Sequence, residues 1–384
     1  MSSAIHSASF ISAHWFMWQL LGAAYTQVSW HGFYWFYALL INLLVTLYYP
    51  LHLGVKVFSN ATIKDDIINL TTFVVTLSCS LKILIYSYNL QKVRQMEHLL
   101  ATLDSRVKGA AQRHIYDQLS KQLRNILYVF IALYLPVAVF AEMSFVFQEE
   151  RKLLYPGWFP YNWYNSTLNF YLTHVYQIVG IFIQIAQNYV SDCFPAVMLC
   201  LISAHTKMLY KRMEDIGVSL KSDAELQPQL AETELEACIT DHKQLLELFD
   251  LMESFMSWPM LIQFAASALN ICISIAGMLF FVTEPMARAY FFFYALAMPM
   301  QIFPICYYGT DTVVWFGKLH YAAFSCNWLT QRRSFKRKLM LFVERSLRHN
   351  AARAGGMIRI HVDAFFGTLK FAYSLFTILL RMRK

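Results

Sequence analysis

Charge is what this chain of 384 residues has least of. Asp, Glu, Lys and Arg make up 15% of it, whereas 57% is hydrophobic and 16% aromatic. A soluble domain carries about a quarter charged residues, so a string of two or three soluble domains is excluded. Paired cysteines are missing too. The seven cysteines are scattered through mostly apolar runs without a CxxC, which leaves no zinc-ribbon spacing and no disulfide framework. Twelve histidines supply no HExxH, and the GxSxG, Walker and dinucleotide glycine patterns are all lacking, so neither an enzyme nor a cofactor is expected. There is no low-complexity tract and no visible repeat between the halves, which argues against an inverted-repeat transporter. The N-terminus lacks the Lys or Arg that opens a secretory signal, so it is read as retained, with Trp15, Phe16 and Trp18 expected at a membrane interface.

What the chain does have is long uncharged runs. About twenty apolar residues span a hydrocarbon core, and seven segments qualify: 33–53, 67–87, 126–147, 170–203, 257–283, 289–310 and 360–380. Each is expected to be a helix, because an open strand cannot satisfy its backbone in lipid. The fourth is longer than one crossing needs, and its surplus should project from the bilayer as continuing helix. Within 233–258, Leu235, Ile239, His242, Leu246, Phe249, Met252 and Met256 recur every three or four residues with acids opposite. That spacing marks an amphipathic helix running into the fifth span, packed on its own chain or on a partner.

Seven crossings put the termini on opposite sides, and Lys and Arg decide which side is cytoplasmic. The segments between spans two and three, four and five, and six and seven hold 22 basic residues, against 8 on the other side. The fold class is therefore an all-α membrane protein with a cytoplasmic N-terminus, an extracellular C-terminus and a helical cytoplasmic layer. Glycosylation sequons at Asn60 and Asn165 fall in the loops placed outside, whereas Asn69 sits at a membrane edge where it would be unusable. This orientation is the reverse of a G-protein-coupled receptor, and neither DRY nor NPxxY is present. The net charge of +8 follows from the same loops. Its largest block, Cys326 to Gly356, orients the chain, and no nucleic-acid partner is expected. In that block Phe335, Leu339, Phe342 and Val343 form an apolar face opposite the basic residues Arg332 to Lys338, which leaves lipid or a neighbouring subunit as the basic face's contact.

Ionisable groups inside spans are costly and often functional. Glu142 either snorkels outward or lines a polar corner of a cavity, and Asp192 is expected in a structural pair. In span seven Asp363, Gly367, Lys370, Ser374, Thr377 and Arg381 follow one another at four- and three-residue steps, one narrow helical stripe. Such a stripe faces other helices or water, and a water-lined pore made with a single helix per chain requires several subunits. Aromatic and small polar residues in spans two to six, among them Thr71, Ser78, Tyr134, Phe140, His174, Phe293 and Tyr294, suit a small hydrophobic ligand, and equally suit ordinary packing.

Several local sequences converge on one family. They are HWFMWQLLG near the N-terminus, YPGWFPYNWYNS before span four, YQIVG and NYVSDCFP within it, then CYYGTD, AAFSCNWL, RSFKRKLMLFVERS, AGG and the closing AYSLFTILL. In order and spacing the chain resembles an insect odorant receptor along nearly its whole length. Two places depart from that pattern: ERSLRHN stands where a glutamine and a proline usually follow RS, and FGKLHYAAFSCNW lacks the usual acidic-serine start.

The resemblance implies a ligand-binding subunit of a non-selective cation channel, gated by small volatile odorants. It implies a heterotetramer with the olfactory co-receptor in the plasma membrane of olfactory sensory neurons, in contact with membrane lipid and permeating cations. Residues 1–310 would form the ligand-binding helices, with cytoplasmic extensions at 88–125 and 204–256. Residues 311–359 would form an anchor region and 360–384 the pore-lining span and external tail. By position, the pocket would draw on Thr71, Val75, Tyr134, Ala138, Glu142, His174, Ile178, Ile181, Phe293 and Tyr294. The closing helix would place Phe376 and Leu380 at a hydrophobic constriction, with the Ser374 and Thr377 stripe bordering the pore or a neighbour. A gustatory receptor of the same superfamily and a G-protein-coupled receptor are the alternative readings.

Overall fold

A computed structural model describes residues 6–24, 31–57, 63–146, 153–217, 227–281, 285–348 and 351–383. Helix dominates, as it must where backbone amides have no water to bond. The order is α1 (Ser9–Leu20), α2 (His31–Ile41), α3 (Tyr48–Val57), α4 (Ile63–Asn89), α5 (Gln91–Ser105), α6 (Ala110–Val146), α7 (Thr167–Glu214), α8 (Gln227–Ala276), α9 (Pro285–Ser325), α10 (Arg333–Ser346), β1 (Arg353–Ala354), β2 (Ile358–Arg359) and α11 (Val362–Arg383). A π-helical stretch, Asn42–Leu47, joins α2 to α3 into one apolar rod, and another, Gly277–Phe281, ends α8.

Among the described residues six helices are long and apolar enough to cross a membrane: α2 with α3, α4, α7, α8, α9 and α11. The third expected crossing lies on α6, a continuous helix of 37 residues. The expected run-on of span four is borne out by α7, 48 residues without a break, and the amphipathic helix runs into span five as α8, 50 residues.

The main core lies at the end of the bundle that carries the basic segments. There α1, α5, α7, α8, α9 and α10 converge on Phe194, Met208, Leu235, Phe249, Phe255 and Phe335, all nearly or fully buried. The heptad-like face read from the sequence points into this core: Leu235, His242, Leu246, Phe249, Met252 and Met256 are buried and Ile239 is half-buried. Trp15 and Trp18 correct the interface expectation. Both are buried, Trp18 with its ring 5.0 Å from Phe194, and Trp15 donates from Nε1 to Glu97 at 2.7 Å, so only Phe16 of the three remains exposed. The apolar face of α10 likewise turns inward through Phe335, Leu339 and Phe342, while Lys338 pairs with Glu232 at 2.5 Å and with Glu236 of its own chain.

A short antiparallel hairpin, Arg353 against Arg359 and Ala354 against Ile358, leads into α11. Its turn needs glycine: Gly355 has φ +58°, and a Cβ there would meet Leu261 of α8 at 2.5 Å. Gly355 N–H also donates to Ser257 O at 2.9 Å. On the other side, a Cβ on Gly309 of α9 would strike Ile360 O at 2.4 Å. The entry to α11 is thus clasped between α8 and α9.

Candidate functional site

Four helices and one connection frame a cavity inside the bundle. Thr72, Val75, Thr76 and Cys79 follow the i, i+3, i+4, i+7 rhythm of one face of α4, and Ile181, Gln184, Ile185 and Asn188 repeat it on α7. Tyr290, Tyr294, Met298 and Gln301 enter from α9, Tyr134 from α6, and Tyr155 from the segment before α7. Tyr155 is held there by a reciprocal clamp, its N–H donating to Gln177 Oε1 at 3.3 Å and its carbonyl accepting from Gln177 Nε2 at 2.8 Å. The cavity measures about 60 Å³, far below the roughly 300–1,000 Å³ of a typical small-molecule site. Any ligand of more than a few atoms must therefore part the surrounding helices.

Of the residues named from the sequence, Val75, Tyr134, Ile181 and Tyr294 line this cavity. Thr71 is buried beside it, its hydroxyl donating to Ile67 O at 2.9 Å. His174 is buried and Ile178 half-buried further along α7 toward Thr167. Phe293 does not join them: it is 56% exposed, whereas Tyr294, one residue on, is 6% exposed. The side chains of Ala138 and Glu142 lie outside the described residues.

Against the cavity lies a buried ion pair. Lys82 Nζ of α4 donates to Asp192 Oδ1 and Asn188 Oδ1 of α7, both at 2.6 Å, and to Gln263 Oε1 of α8 at 2.5 Å. Tyr134 OH donates to Asp192 Oδ2 at 2.6 Å, so both carboxylate oxygens are engaged. Gln263 Nε2 donates onward to Gln301 Oε1 of α9 at 3.2 Å and to Ser267 Oγ at 3.4 Å. Lys82 and Asp192 are fully buried, so each charge depends on the other and on these neutral partners. One network therefore ties α4, α6, α7, α8 and α9 together, and three of its members, Tyr134, Asn188 and Gln301, also line the cavity.

Residues 62–373 match the model of the 7tm odorant receptor family. The chain belongs to that family. It is 57% identical to odorant receptor 59a of Drosophila melanogaster over 99% of each chain, and 32% identical to odorant receptor 33b of the same organism over 99% of this chain and 98% of that one. Its fold is similar to that of the insect olfactory receptor OR5 from Machilis hrabei, solved in complex with eugenol, with a TM-score of 0.84, 15% identity, and coverage of 99% of this chain and 100% of that one. This odorant receptor is a membrane protein of a receptor family, not of an enzyme family. Among its described residues no three His, Cys, Asp or Glu side chains gather in a way that could hold a metal ion.

The last helix of the odorant receptor is packed on one side only. Of the membrane-spanning window of α11, 11% is buried, against 83% for α7. Thr368, Ala372 and Phe376 face inward, Phe376 lying parallel to Phe280 with ring centroids 6.1 Å apart. Leu380 packs half-buried beside it. Asp363, Gly367, Lys370, Ser374 and Arg381 are exposed and Thr377 is half-buried, so the polar stripe falls on the uncovered side. Phe376 does not share that side.

A second, larger cavity of about 790 Å³ opens at the basic end between α8 and α10, where His242, Asp250, Lys338, Phe342 and Arg345 line it. Among the described residues, none of the ligand residues expected from the sequence lines it. Nearby, Asp104 of α5 accepts from Ser7 N–H at 2.7 Å and from Ser7 Oγ at 2.6 Å, fastening the N-terminal segment. Burial raises the Asp104 pKa above the ordinary 3.8, against the lowering effect of those bonds. Asn165 is exposed before α7, Asn69 is buried and donates from Nδ2 to Leu53 O at 2.9 Å, and Asn60 lies outside the described residues.

Sequence reasoning missed the other ten lining residues: Thr72, Thr76, Cys79, Tyr155, Gln184, Ile185, Asn188, Tyr290, Met298 and Gln301. A signal for the polar α7 members was present: Gln184, Asn188 and Asp192 recur every fourth residue in an apolar helix, and such a polar row must face other protein rather than lipid.

Proposed function

We propose that this odorant receptor is the odorant-binding subunit of a ligand-gated, non-selective cation channel. It assembles as a heterotetramer with the olfactory co-receptor in the plasma membrane of olfactory sensory neurons. The observation that carries this reading is the one-sided packing of α11, whose polar stripe of Asp363, Lys370 and Ser374 is left uncovered by its own chain. A stripe of that kind needs water or a partner subunit beside it, and one helix cannot enclose a pore.

The basic end is cytoplasmic, together with the N-terminus, and the C-terminus is external; Asn165 is then on the side where glycans are added. Ser374 and Thr377 border the pore, while Phe376 anchors α11 to α8 through Phe280. The ligand is a small volatile molecule that enters among Val75, Tyr134, Ile181 and Tyr294. Thr71, His174 and Ile178 belong to the surrounding wall, and Phe293 to the lipid-facing side of α9. Since the cavity is too small for such a molecule without helix movement, binding favours whichever arrangement holds the helices apart, and so shifts the closed–open equilibrium.

The test is co-expression with the co-receptor and current recording during an odorant panel, with G-protein signalling blocked. Odorant-evoked cation currents that persist under the block are expected. Currents that vanish under it, or that are absent in every combination, would overturn the channel reading.

A further inference from the structure

Lys82 does more than neutralise Asp192, because an ammonium group has donors only. The amide atoms facing it must therefore be oxygens, and the two glutamines and one asparagine around it have their orientation set chemically. Asn188 turns Oδ1 to Lys82, so its Nδ2 is directed away. Gln263 turns Oε1 to Lys82 and spends Nε2 on Gln301 and Ser267. The Gln301 atom that meets a donor must in turn be its oxygen, which leaves Nε2 on the opposite side. Neither Asn188 Nδ2 nor Gln301 Nε2 has a hydrogen-bond partner among the described residues, and both residues line the cavity. Tyr134, whose proton goes to Asp192, can only accept. The Tyr290 hydroxyl is hydrogen-bonded to Thr72, and the Tyr294 hydroxyl can rotate to either role and sets no preference.

We infer that Lys82 is a positioning residue that dictates ligand class. By turning two amide oxygens to itself, directly at Asn188 and through Gln263 at Gln301, it presents amide N–H donors to the cavity, which therefore selects small apolar molecules bearing an oxygen acceptor, such as ketones, esters or alcohols, over hydrocarbons of the same shape. A buried amide N–H left without a partner costs free energy that an isosteric alkene cannot relieve. Alcohols gain one further partner, since Gln184 Oε1 is buried without a donor among the described residues. This inference rests on the reading of the cavity as the odorant site, not on the channel reading.

The experiment uses matched pairs in which C=O is replaced by C=CH₂: acetophenone with 2-phenylpropene, and 2-heptanone with 2-methyl-1-heptene. Their half-maximal concentrations are measured on the co-expressed complex, and their thermal stabilisation is measured on the purified subunit. Each ketone should be more potent and more stabilising than its alkene. Gln301→Met keeps the side-chain volume, leaves Gln263 bonded to Ser267 and removes one donor. It should raise the ketone concentrations about five- to tenfold, the loss of one hydrogen bond, and leave the alkenes unchanged. Lys82→Met, provided it reaches the surface, should bring ketone and alkene toward parity, a ratio that a merely structural role would leave alone. Equal potency within the pairs in the wild type, or equal shifts of both members in Gln301→Met, would overturn the inference. Selective stabilisation by ketones with no evoked current would uphold it and count against the channel reading instead.

Discussion

Removing Lys82 and Asp192 together should damage this receptor hardly more than removing Lys82 alone. The two charges meet at 2.6 Å with both side chains fully buried. Stripping one partner from such a pair typically costs about 3–5 kcal/mol, because the other charge is left in a low-dielectric interior. Lys82→Met also strands Asn188 Oδ1 and Gln263 Oε1, each now without its only short donor, so it should fall at the upper end, about 5 kcal/mol. Asp192→Leu leaves the ammonium with two neutral acceptors and should cost about 3–4 kcal/mol. In the double variant no charge is left, and the loss should fall short of the summed single losses by about 3 kcal/mol, the coupling expected for a close pair. Thermal unfolding of the purified chain in detergent, with surface expression in cells alongside, measures all three. A double variant whose destabilisation equals the sum of the singles would refute the argument, since it would mean that the two charges do not depend on one another.

Cysteine placed on α11 reads its two faces: Ser374→Cys should react with a charged, membrane-impermeant thiol reagent and alter odorant-evoked current, whereas Phe376→Cys should resist it, and the reverse pattern would mean that the inward and uncovered faces of α11 are exchanged. Lys338 bonds two acids at short range, yet Lys338 and Glu236 are open to solvent and Glu232 is only partly covered, so Lys338→Ala should leave the melting temperature close to that of the wild type, and a large drop would show that these pairs hold α10 to α8. A raised pKa at Asp104 means that its ionisation opposes folding. As pH falls from 7 toward the ordinary carboxylate value of 3.8, wild type should therefore gain stability relative to Asp104→Asn, and a melting-temperature difference of opposite slope would refute it.

The spans, their run-on into the basic end and the inward face of α8 were legible, because each rests on a length or a period that one segment carries by itself. Pairings were not. Lys82 and Asp192 stand 110 positions apart, and nothing local to either says which face meets the other. Phe293 and Tyr294 are neighbours about 100° apart around α9, so choosing between them needs the helix's orientation against α4 and α6. Trp15 and Trp18 look the same in sequence whether they meet headgroups or Phe194. Gln184 and Gln301 escaped notice since a neutral amide barely interrupts a hydrophobic run, although burying it without a partner still costs free energy.

The unbroken length of α7 has a mechanical meaning. At 1.5 Å per residue its 48 residues make a rod about 70 Å long, with the cavity roughly a third of the way from one end and the N-terminal clasp of Ser7 on Asp104 near the other. Apart from Pro195, where one backbone hydrogen bond is lost, the rod has no joint to absorb a tilt. A pivot of about 2° at the cavity moves the far end by about 1.5 Å, a displacement of the order known to repack helix interfaces. Since α11 rests chiefly on α8 and α9, a push delivered along this lever reaches it second-hand, through the core at the basic end and through Gln263 and Gln301.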